Sequence, residues 1–293
     1  MNVVTTPAAA GPLPPAQGVA NVEDWSGKDR GDENFPVGSL LISARLRPHV
    51  HAFYAFARNA DDIADSPTLA PEDKIARLDV MEAVLLGRRG DGSPSTTRLR
   101  ASLAETGVTP QHSLDILVAF RRDATKRRYA SWDELLDYCR YSAMPVGRHV
   151  LDLHGERRDT WEPSDALCAA LQVLNHLQDG ARDLADLDRC YLPLDLMAHY
   201  GASLEDLSRP SLTAGLRRVM DVLLDRCDEL NRSAAWLPRR ARDRRLRLET
   251  GVIVGLSGRL AARLRRGDPV AERVKLSKGD AVASVLAALR FLP

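Results

Sequence analysis

Several common sequence signals are missing from this chain of 293 residues, and each absence excludes a class of protein. Aromatic residues make up only 5% of the chain, and no long apolar/polar alternation occurs, so a β-sandwich or barrel is not expected. No apolar run approaches the roughly 20 residues of a membrane-spanning helix, and no charged and then apolar leader opens the chain. Lys and Arg number 41 against 40 Asp and Glu, so the net charge indicates no nucleic-acid partner.

The motifs of several enzyme classes are also absent. The 7 histidines show no HExxH spacing, and neither GxSxG nor a Ser/His/Asp arrangement occurs. GxGxxG is missing too, which weakens any proposal of NADPH bound in the usual dinucleotide fold. The 4 cysteines lack CxxC spacing, so we expect reduced thiols in or near the core of a cytosolic protein: Cys139, Cys168, Cys190 and Cys227.

The residues that are present predict helices. Residues 1–30, rich in Pro, Ala and Gly, are predicted to form a disordered arm, and residues 31–293 one all-α domain, a helix bundle with short loops. The segment GRRGDGSPSTT at 87–97 is predicted to be a loop. Helices are predicted from residues 71, 131 and 163, and over 111–126, 204–206, 213–237, 246–266 and 278–292.

One predicted helix runs through YCRYSAMPVGRHV and contains Pro145 and Gly147 in the middle of its apolar pattern. Proline removes an intrahelical hydrogen bond and clashes with the preceding turn, so we expect a kink. The kink could serve close helix packing only, which is the simpler interpretation of this feature alone. It could also open room for a long apolar ligand beside Tyr138, Tyr141 and Ser142.

Two segments place polar side chains along one side of a helix. The first follows the spacing i, i+4, i+7, i+11 and the second i, i+3, i+7, i+11. Since an α-helix repeats every 3.6 residues, each set points in nearly one direction, and the two could face each other. The sets are Tyr54, Arg58, Asp61 and Asp65, and Gln172, Asn175, Asp179 and Asp183.

The two aspartates at i, i+4 in each stripe repel each other, so something must offset their charge. Mg2+ would do so, because it is usually held by one or two carboxylates and completed by substrate phosphates. Gln172 and Asn175 fit the edge of such a site, and Arg58 and Tyr54 could hold phosphate oxygens. Two ordinary solvated acidic faces are the alternative, which the matched pair of stripes disfavours.

Two basic runs, at 121–128 and 239–247, could bind anionic lipid headgroups. The interpretation that the sequence favours is a solvated helix face in each case.

The stretches YAFARNADDIAD, YCRYSAMPVGR and LQVLNHLQDGARDLADLDRCYLP together resemble the squalene/phytoene synthase family, the head-to-head class I prenyl synthases. The motifs occur in the family's order, and the resemblance extends from about Asp32 to the last helix. ENFPVGS and SAMPVGR are most similar to the bacterial hydroxysqualene synthases of hopanoid biosynthesis. The resemblance implies a class I isoprenoid synthase-like bundle with a central apolar cavity.

The resemblance also implies roles for individual residues. Mg2+, for which Mn2+ can substitute, would be bound by four carboxylates: Asp61, Asp65, Asp179 and Asp183. Asn175 would join these ligands, and Gln172 would lie at the edge of the site. Four residues would hold or orient diphosphate oxygens: Tyr54, Arg58, Arg189 and Tyr191. Tyr138, Val146 and Gly147 would line the cavity near the reacting carbons, and Tyr138 would also have a catalytic role.

Two departures from the family's pattern affect these roles. Arg182 stands where an acidic residue is common, which either weakens one metal position or supplies a phosphate contact. Met144 stands where the subgroup often has a polar residue, which puts any water-positioning role there in doubt.

The resemblance implies Mg2+-dependent conversion of presqualene diphosphate and water to hydroxysqualene and diphosphate, without NADPH. Presqualene diphosphate synthase, squalene synthase and phytoene synthase activities on farnesyl or geranylgeranyl diphosphate are the enzymatic alternatives. A non-catalytic helical binding or assembly protein is the alternative of another class. The expected partners are a prenyl diphosphate and a cooperating presqualene diphosphate synthase. The expected location is the cytoplasm, with peripheral contact at the inner face of the membrane left open.

Overall fold

The described part of the chain is built almost entirely from helices. A computed structural model describes residues 21–23 and 42–292, and in these ranges isolated bridges are the only β-structure. Three short 3-10 helices, Arg158–Thr160, Leu204–Ser208 and Leu289–Phe291, accompany the α-helices. The all-α prediction is confirmed for these ranges. The α-helices are α1 (Arg47–Asp65), α2 (Pro71–Leu85), α3 (Pro94–Thr106), α4 (Gln111–Asp123), α5 (Trp132–Ser142), α6 (Met144–Leu153), α7 (Trp161–Leu187), α8 (Leu194–His199), α9 (Ala214–Ala234), α10 (Leu237–Arg240), α11 (Arg244–Arg266) and α12 (Lys278–Ala288).

The two helices that carry the acidic stripes each run through a separate hydrophobic cluster. Phe56 and Ile63 of α1 pack with residues of α2, α3 and α4, and both are fully buried. Leu174 and Leu177 of α7 pack with residues of α5, α9 and α11. Each such buried side chain contributes about 1.5–3 kcal/mol to stability. Because each helix is anchored in its own cluster, the stripes are held on rigid elements.

Helix α3 was not predicted, and part of it falls in the segment assigned to a loop. The helix begins at Pro94, and the Ser93 hydroxyl accepts a hydrogen bond from the Thr96 amide. Gly107 ends it in the left-handed conformation, at φ 72°. Serine at the N-cap, proline in the first turn and glycine after the last turn are all start and stop signals, so the sequence did carry the evidence for this helix.

The expected kink near Pro145 is a complete break. α5 ends at Ser142 and α6 begins at Met144, while Ala143 between them has φ −122° and ψ −46°, outside the helical region. Pro145 lies in the first turn of α6. Proline is favoured in the first turn because its missing N–H has no intrahelical partner there. The chain therefore uses the proline to start a new helix.

Residues 1–20 and 24–30 of the predicted disordered arm lie outside the described residues. For the three described residues, Asn21 to Glu23, that prediction is wrong. Val22 is only 2% exposed, and its amide donates to the carbonyl of Gly92. The Glu23 carboxylate accepts hydrogen bonds from the Ser93 hydroxyl and the Ser95 amide at the start of α3. A carboxylate at a helix N-terminus is stabilised by the free amides there, which ties this segment down.

All four cysteines are free thiols, and three of them are fully buried, as predicted: Cys139, Cys190 and Cys227. Cys168 is partly buried. Among residues 21–23 and 42–292, no helix is both long enough and apolar enough to span a bilayer.

Candidate active site

The acidic stripes lie on α1 and α7, and Arg189 joins the ends of these helices. Its Nη1 donates to Asp65 Oδ1 at 2.6 Å, and its Nη2 donates to the carbonyl oxygens of Ala64 and Asp123 at 3.1 and 2.9 Å. The side chain is only 4% exposed. A buried guanidinium with three acceptors fixes the geometry of the groups that it binds. Arg189 therefore holds the acidic end of α1 close to the acidic end of α7.

On α1, Arg58 neutralises carboxylates of its own helix. Its Nη1 lies 3.0 Å from Asp61 Oδ2, and its Nη2 lies 2.7 Å from Oδ1 of the buried Asp62. Burial, followed by repulsion from Asp65, raises the pKa of Asp61 well above its ordinary value. Carboxylates that repel each other in a partly desolvated place favour a proton or a cation. Arg58 thus sits at the stripe, although the diphosphate contact expected for it stays a prediction.

On α7, Asp179 carries the closest cation contacts. Arg273, in the segment between α11 and α12, donates from Nη2 to Oδ2 at 3.0 Å and places Nε 2.8 Å from Oδ1. Arg182 places Nη2 3.2 Å from Oδ1 of the same carboxylate, and its side chain is 58% exposed. The residue that departs from the family's pattern therefore contacts the acid three positions before it.

At Asp183 the charges of the two stripes act on each other. Burial raises its pKa to about 7, and repulsion from Asp179 and Asp65 adds to this effect, while Arg182 opposes it. Asp65 belongs to α1, so a charge on one stripe is felt by the other. Among the described residues, no group of three or more His, Cys, Asp or Glu side chains is close enough together to hold a metal ion. The donors are nevertheless carboxylate and amide oxygens, the ligand type that Mg2+ prefers.

Beside the stripes lies a buried aromatic cluster around Asp123 at the end of α4. Tyr138 donates a hydrogen bond to Asp123 at 2.8 Å, and the hydroxyl of Tyr191 lies 3.4 Å from its other oxygen. Burial raises the pKa of Asp123 to about 7, which the charge of Arg189 opposes. His176 stacks on Tyr191 with ring centroids 3.5 Å apart, and burial lowers its pKa to about 3.

Tyr138 is 3% exposed and donates to Asp123, and it is not among the residues that line the apolar cavity described next. Its catalytic role near the reacting carbons stays a prediction. Tyr191 likewise points its hydroxyl toward Asp123, and its diphosphate role stays a prediction.

An apolar cavity of about 340 Å³ lies between α1, α6, α7 and α11. The lining is mostly aliphatic or aromatic, and it includes Val146 and Gly147, which were predicted to line a cavity. Tyr54, predicted to hold diphosphate oxygens, also lies in this lining, and its diphosphate contact stays a prediction. The remaining lining residues are Ile42, Val50, Phe53, Ala57, Val150, Leu151, Ser164, Leu167, Cys168, Leu171, Leu237, Leu246, Glu249, Thr250 and Ile253. Such a space suits a hydrocarbon chain.

The cavity and the acids occupy different parts of the same two helices. On α1 the last cavity residue is Ala57 and the first acid of the stripe is Asp61; on α7 the last cavity residue is Leu171 and the first acid is Asp179. At 1.5 Å per residue, about 6 Å on α1 and about 12 Å on α7 separate the cavity from the acids. An amphipathic ligand with an anionic head and a long apolar tail would match this arrangement.

Sequence reasoning missed three polar residues near these features. Asp123 is buried in the aromatic cluster, Arg273 pairs with Asp179, and Glu249, which is 5% exposed, lines the cavity. None belongs to a motif. Only the helical spacing could have revealed Glu249. It lies in the predicted helix 246–266 on the same face as Val252 and Leu256, which are buried, so a buried position for Glu249 could have been predicted.

Comparison with known proteins gives consistent matches over most of the chain. A family model described as squalene/phytoene synthase matches residues 28–280. The hydroxysqualene synthase of Rhodopseudomonas palustris is 47% identical over 264 residues, which cover 90% of each chain. The hydroxysqualene synthase of Sinorhizobium fredii is 46% identical over 246 residues, which cover 84% of each chain.

Among solved structures, the chain is similar to a squalene synthase from Alicyclobacillus acidocaldarius. The TM-score is 0.72 and the sequence identity is 36%, and the match covers 81% of this chain and 90% of that chain.

Proposed function

Because the chain belongs to the squalene/phytoene synthase family, an enzyme family, we propose that it is a hydroxysqualene synthase of isoprenoid and hopanoid biosynthesis. The reaction converts presqualene diphosphate and one water to hydroxysqualene and diphosphate. The observation that carries the proposal is the placement of both aspartate pairs at one end of two helices whose preceding turns line the same apolar cavity.

We propose that Mg2+ is held by carboxylates from both stripes, with Asn175 beside them: Asp61, Asp65, Asp179 and Asp183. When bound, the cation would stabilise the charge that develops on the departing diphosphate. Burial, together with repulsion from neighbouring aspartates, raises the pKa of Asp61 and Asp183, and a bound cation would relieve that repulsion.

The next part of the proposal concerns arginine side chains near the stripes. Arg58 belongs to the stripe on α1, and Arg189 and Arg273 each contact a carboxylate of a stripe, so these guanidinium groups border the place where the proposal puts the diphosphate. Arginine binds phosphate oxygens in a planar, two-point geometry, and it holds its charge at every relevant pH. Charge on the leaving group would thus be neutralised by donors that are already in place.

The apolar cavity would protect the carbocation that remains. Its aliphatic walls exclude bulk water, so rearrangement can precede capture. The few polar lining groups, among them Glu249 and Thr250 on α11, are the places where a single water could be bound next to the cation. NADPH has no part in this reaction, because the cation is captured by water and not by hydride.

Two finer points belong to the same proposal. The substrate must be supplied by a presqualene diphosphate synthase, so cooperation with that enzyme is expected. Substrate and product are both lipids, so a cytoplasmic enzyme in peripheral contact with the membrane fits the reaction.

Squalene synthase is the second candidate, because the similar structure from Alicyclobacillus carries that name. The two candidates differ in what captures the cation, since squalene requires hydride from a reductant. Phytoene and presqualene diphosphate synthase activities share the acidic motifs and differ in substrate.

One incubation separates these activities. The purified protein is mixed with Mg2+ and presqualene diphosphate, with and without NADPH, and the extracted products are identified by mass spectrometry. Hydroxysqualene formed equally in both samples is expected. Squalene formed only with NADPH would replace the proposal with the second candidate. A lack of product from this substrate would reject both, and the same assay with farnesyl and geranylgeranyl diphosphates would then test the remaining family activities.

The proposed metal ligands are tested by a matched pair of variants on α7. Asp179→Ala should lower turnover at least about a thousandfold, because a ligand of the cation is lost. Asp186→Ala removes an exposed acid of the same helix and should leave turnover unchanged. Circular dichroism should show the same helix content in both, and a fully active Asp179→Ala protein would contradict the assignment.

A further inference from the structure

Helix α12 exposes its large apolar side chains, whereas its buried residues, Ser284 and Ala288, are small. Val282 and Leu286 are 60% and 62% exposed, and Val285 and Leu289 are 43% and 45% exposed, the last just beyond the helix end. Ser284, in contrast, is only 1% exposed. A surface helix of a soluble domain normally turns its large apolar residues toward the core. The orientation of α12 therefore leaves an aliphatic face without a partner in the described structure.

The orientation is fixed by close packing against α11. A Cβ added at Gly251 would lie 2.8 Å from Phe291 Cδ2, and one added at Gly255 would lie 3.1 Å from Ser284 Cβ. Only small residues allow two helices to approach so closely. The first turn is held as well, because Asp280 accepts from Arg263 at 2.6 Å. The aliphatic face thus points outward because the other side of the helix has a specific seat.

Trp236 extends this face toward the start of α10. Its side chain is 53% exposed, and the guanidinium of Arg239 lies 5.2 Å from the centre of its ring. The same guanidinium lies 5.9 Å from the ring of Phe291, which follows α12. We call this surface the α12 face, and its exposed members are Trp236, Val282, Val285, Leu286, Leu289 and Leu292.

Positive charge borders the α12 face. Arg239, Arg247 and Arg290 line one surface hollow together with Pro238, Phe291 and Leu292. Arg247 donates to the carbonyl oxygen of Ala241, and the other two guanidiniums lie over aromatic rings. None of these contacts neutralises a charge. The hollow is therefore suited to an anionic group such as a phosphate.

We propose that the α12 face docks the protein on an anionic lipid surface. The aliphatic side chains and Trp236 would enter the boundary between headgroups and acyl chains, and the bordering arginines would bind lipid phosphates. A lipid surface fits better than a protein partner, because the face combines exposed aliphatic groups with basic residues that no carboxylate of the described structure neutralises. A layer of anionic lipids complements both the aliphatic side chains and the arginines of this surface.

The docking surface also lies next to the apolar cavity. Leu237, which follows Trp236 directly in the chain, lines the cavity with Leu246 of α11. Docking would thus bring one wall of the cavity close to the bilayer, where an apolar substrate or product is most soluble. This last step rests on the proposed function, whereas the docking itself does not.

Vesicle co-sedimentation tests the proposal with the full chain. The probes are vesicles of phosphatidylcholine mixed with phosphatidylglycerol, and vesicles of phosphatidylcholine alone. Wild-type protein should bind the anionic vesicles and should be released by high salt. The double variant Val282→Glu/Leu286→Glu should bind at least about tenfold more weakly. Leu194→Glu alters another apolar residue, 39% exposed on α8, and should bind like wild type.

The arginines and Trp236 provide independent measurements. Arg239→Gln/Arg290→Gln should lose most of the preference for anionic vesicles, while Arg98→Gln, an exposed arginine on α3, should keep it. Tryptophan emission should shift to shorter wavelength when anionic vesicles are added, and Trp236→Phe should abolish the shift.

Three results would overturn the proposal: wild type that does not bind anionic vesicles, a double glutamate variant that binds as wild type does, or a wild-type dimer that the double variant converts to monomer with vesicle binding unchanged. The last result would make a second copy the occupant. Failure of the proposed function is separate, because the product assay in detergent solution should be unaffected by the glutamate substitutions.

Discussion

Arg273 forms an ion pair with Asp179, the first carboxylate of the acidic stripe on α7. Its two contacts with Asp179, at 2.8 and 3.0 Å, come from a residue that is 94 positions away in the chain. A cation that binds Asp179 must displace this guanidinium or share the carboxylate with it. If Asp179 holds Mg2+ as proposed, the pair would weaken metal binding before substrate arrives, and it would leave Arg273 close to the proposed place of the diphosphate.

Removing that guanidinium should strengthen metal binding in the absence of substrate. We expect Arg273→Gln to bind Mg2+ about tenfold more tightly, as about 1.4 kcal/mol of competition is lost. Isothermal titration calorimetry without substrate measures this. Arg182→Gln is the control, because that side chain is 58% exposed and makes one contact at 3.2 Å, so a smaller change is expected. Equal or weaker binding by Arg273→Gln would contradict the competition.

His149 makes a second prediction at the scale of one residue. It is 1% exposed and stacks on Phe53 with ring centroids 3.9 Å apart, and neither ring nitrogen has a hydrogen-bond partner among the described residues. Burial lowers its pKa to about 3, below the ordinary value. Its contribution to stability is thus present above about pH 6.5 and is lost as the pH falls toward 3, because only the unfolded state gains the proton.

His149→Phe should abolish this loss and keep the ring stacked. Between pH 8 and pH 5 the variant should gain about 2 kcal/mol of unfolding free energy relative to wild type. Urea denaturation at both pH values measures the difference. His199→Phe, at an exposed position at the end of α8, should show no such gain. An identical pH dependence in wild type and His149→Phe would mean that His149 is protonated in the folded state.

At the scale of elements, the contact between α6 and α7 depends on Gly147. A Cβ there would overlap Ser164 Oγ and would lie 2.7 Å from Cys168 Sγ, and all three residues line the cavity. α6 can approach α7 this closely because glycine has no side chain. The break at Ala143 frees α6 to take this position, so the chain interruption and the glycine together shape one wall of the cavity.

Gly147→Ala should therefore destabilise the protein by about 1–3 kcal/mol, because the helices must move apart. Gly258→Ala on α11 is the control, since a Cβ there meets nothing within 4 Å and should stabilise that helix by about 0.5–1 kcal/mol. Thermal denaturation of both variants measures the difference. A Gly147→Ala protein as stable as Gly258→Ala would show that α6 and α7 are not closely packed.

At the scale of the whole molecule, the two helices that carry the acidic stripes pack in separate hydrophobic clusters. α1 is packed with α2, α3 and α4, whereas α7 is packed with α5, α9 and α11. Between the stripes themselves, Arg189 forms the direct bond from the end of α7 to Asp65. A ligand that binds both stripes would connect the two halves of the bundle.

Mg2+ and a non-hydrolysable prenyl diphosphate analogue should accordingly raise the melting temperature together by several degrees. Either one alone should have little effect, because each completes the binding site of the other. Differential scanning fluorimetry with the four combinations measures this. Asp183→Asn should abolish the joint effect, and a full shift produced by the analogue without a divalent cation would contradict the shared site.

The sequence by itself determined most of the helices and the acidic stripes, because both depend on local spacing. Apolar residues that repeat every 3.6 positions must lie on one face of a helix, and aspartates four apart must be neighbours on it. The helix α3 could have been found in the same way from Ser93, Pro94 and Gly107. The lining role of Val146 and Gly147 followed from the resemblance, and the structure places both on the cavity.

Only the tertiary structure decided which distant groups meet these local patterns. Arg273 reaches Asp179, Asp123 receives the hydroxyl of Tyr138, and Glu249 enters the cavity wall, and no periodicity connects the members of these pairs. The outward turn of Leu286 was equally hidden, because an aliphatic residue on a helix is ordinarily buried. Burial and charge pairing depend on which surfaces pack together, and that choice minimises the free energy of the whole chain rather than that of any segment.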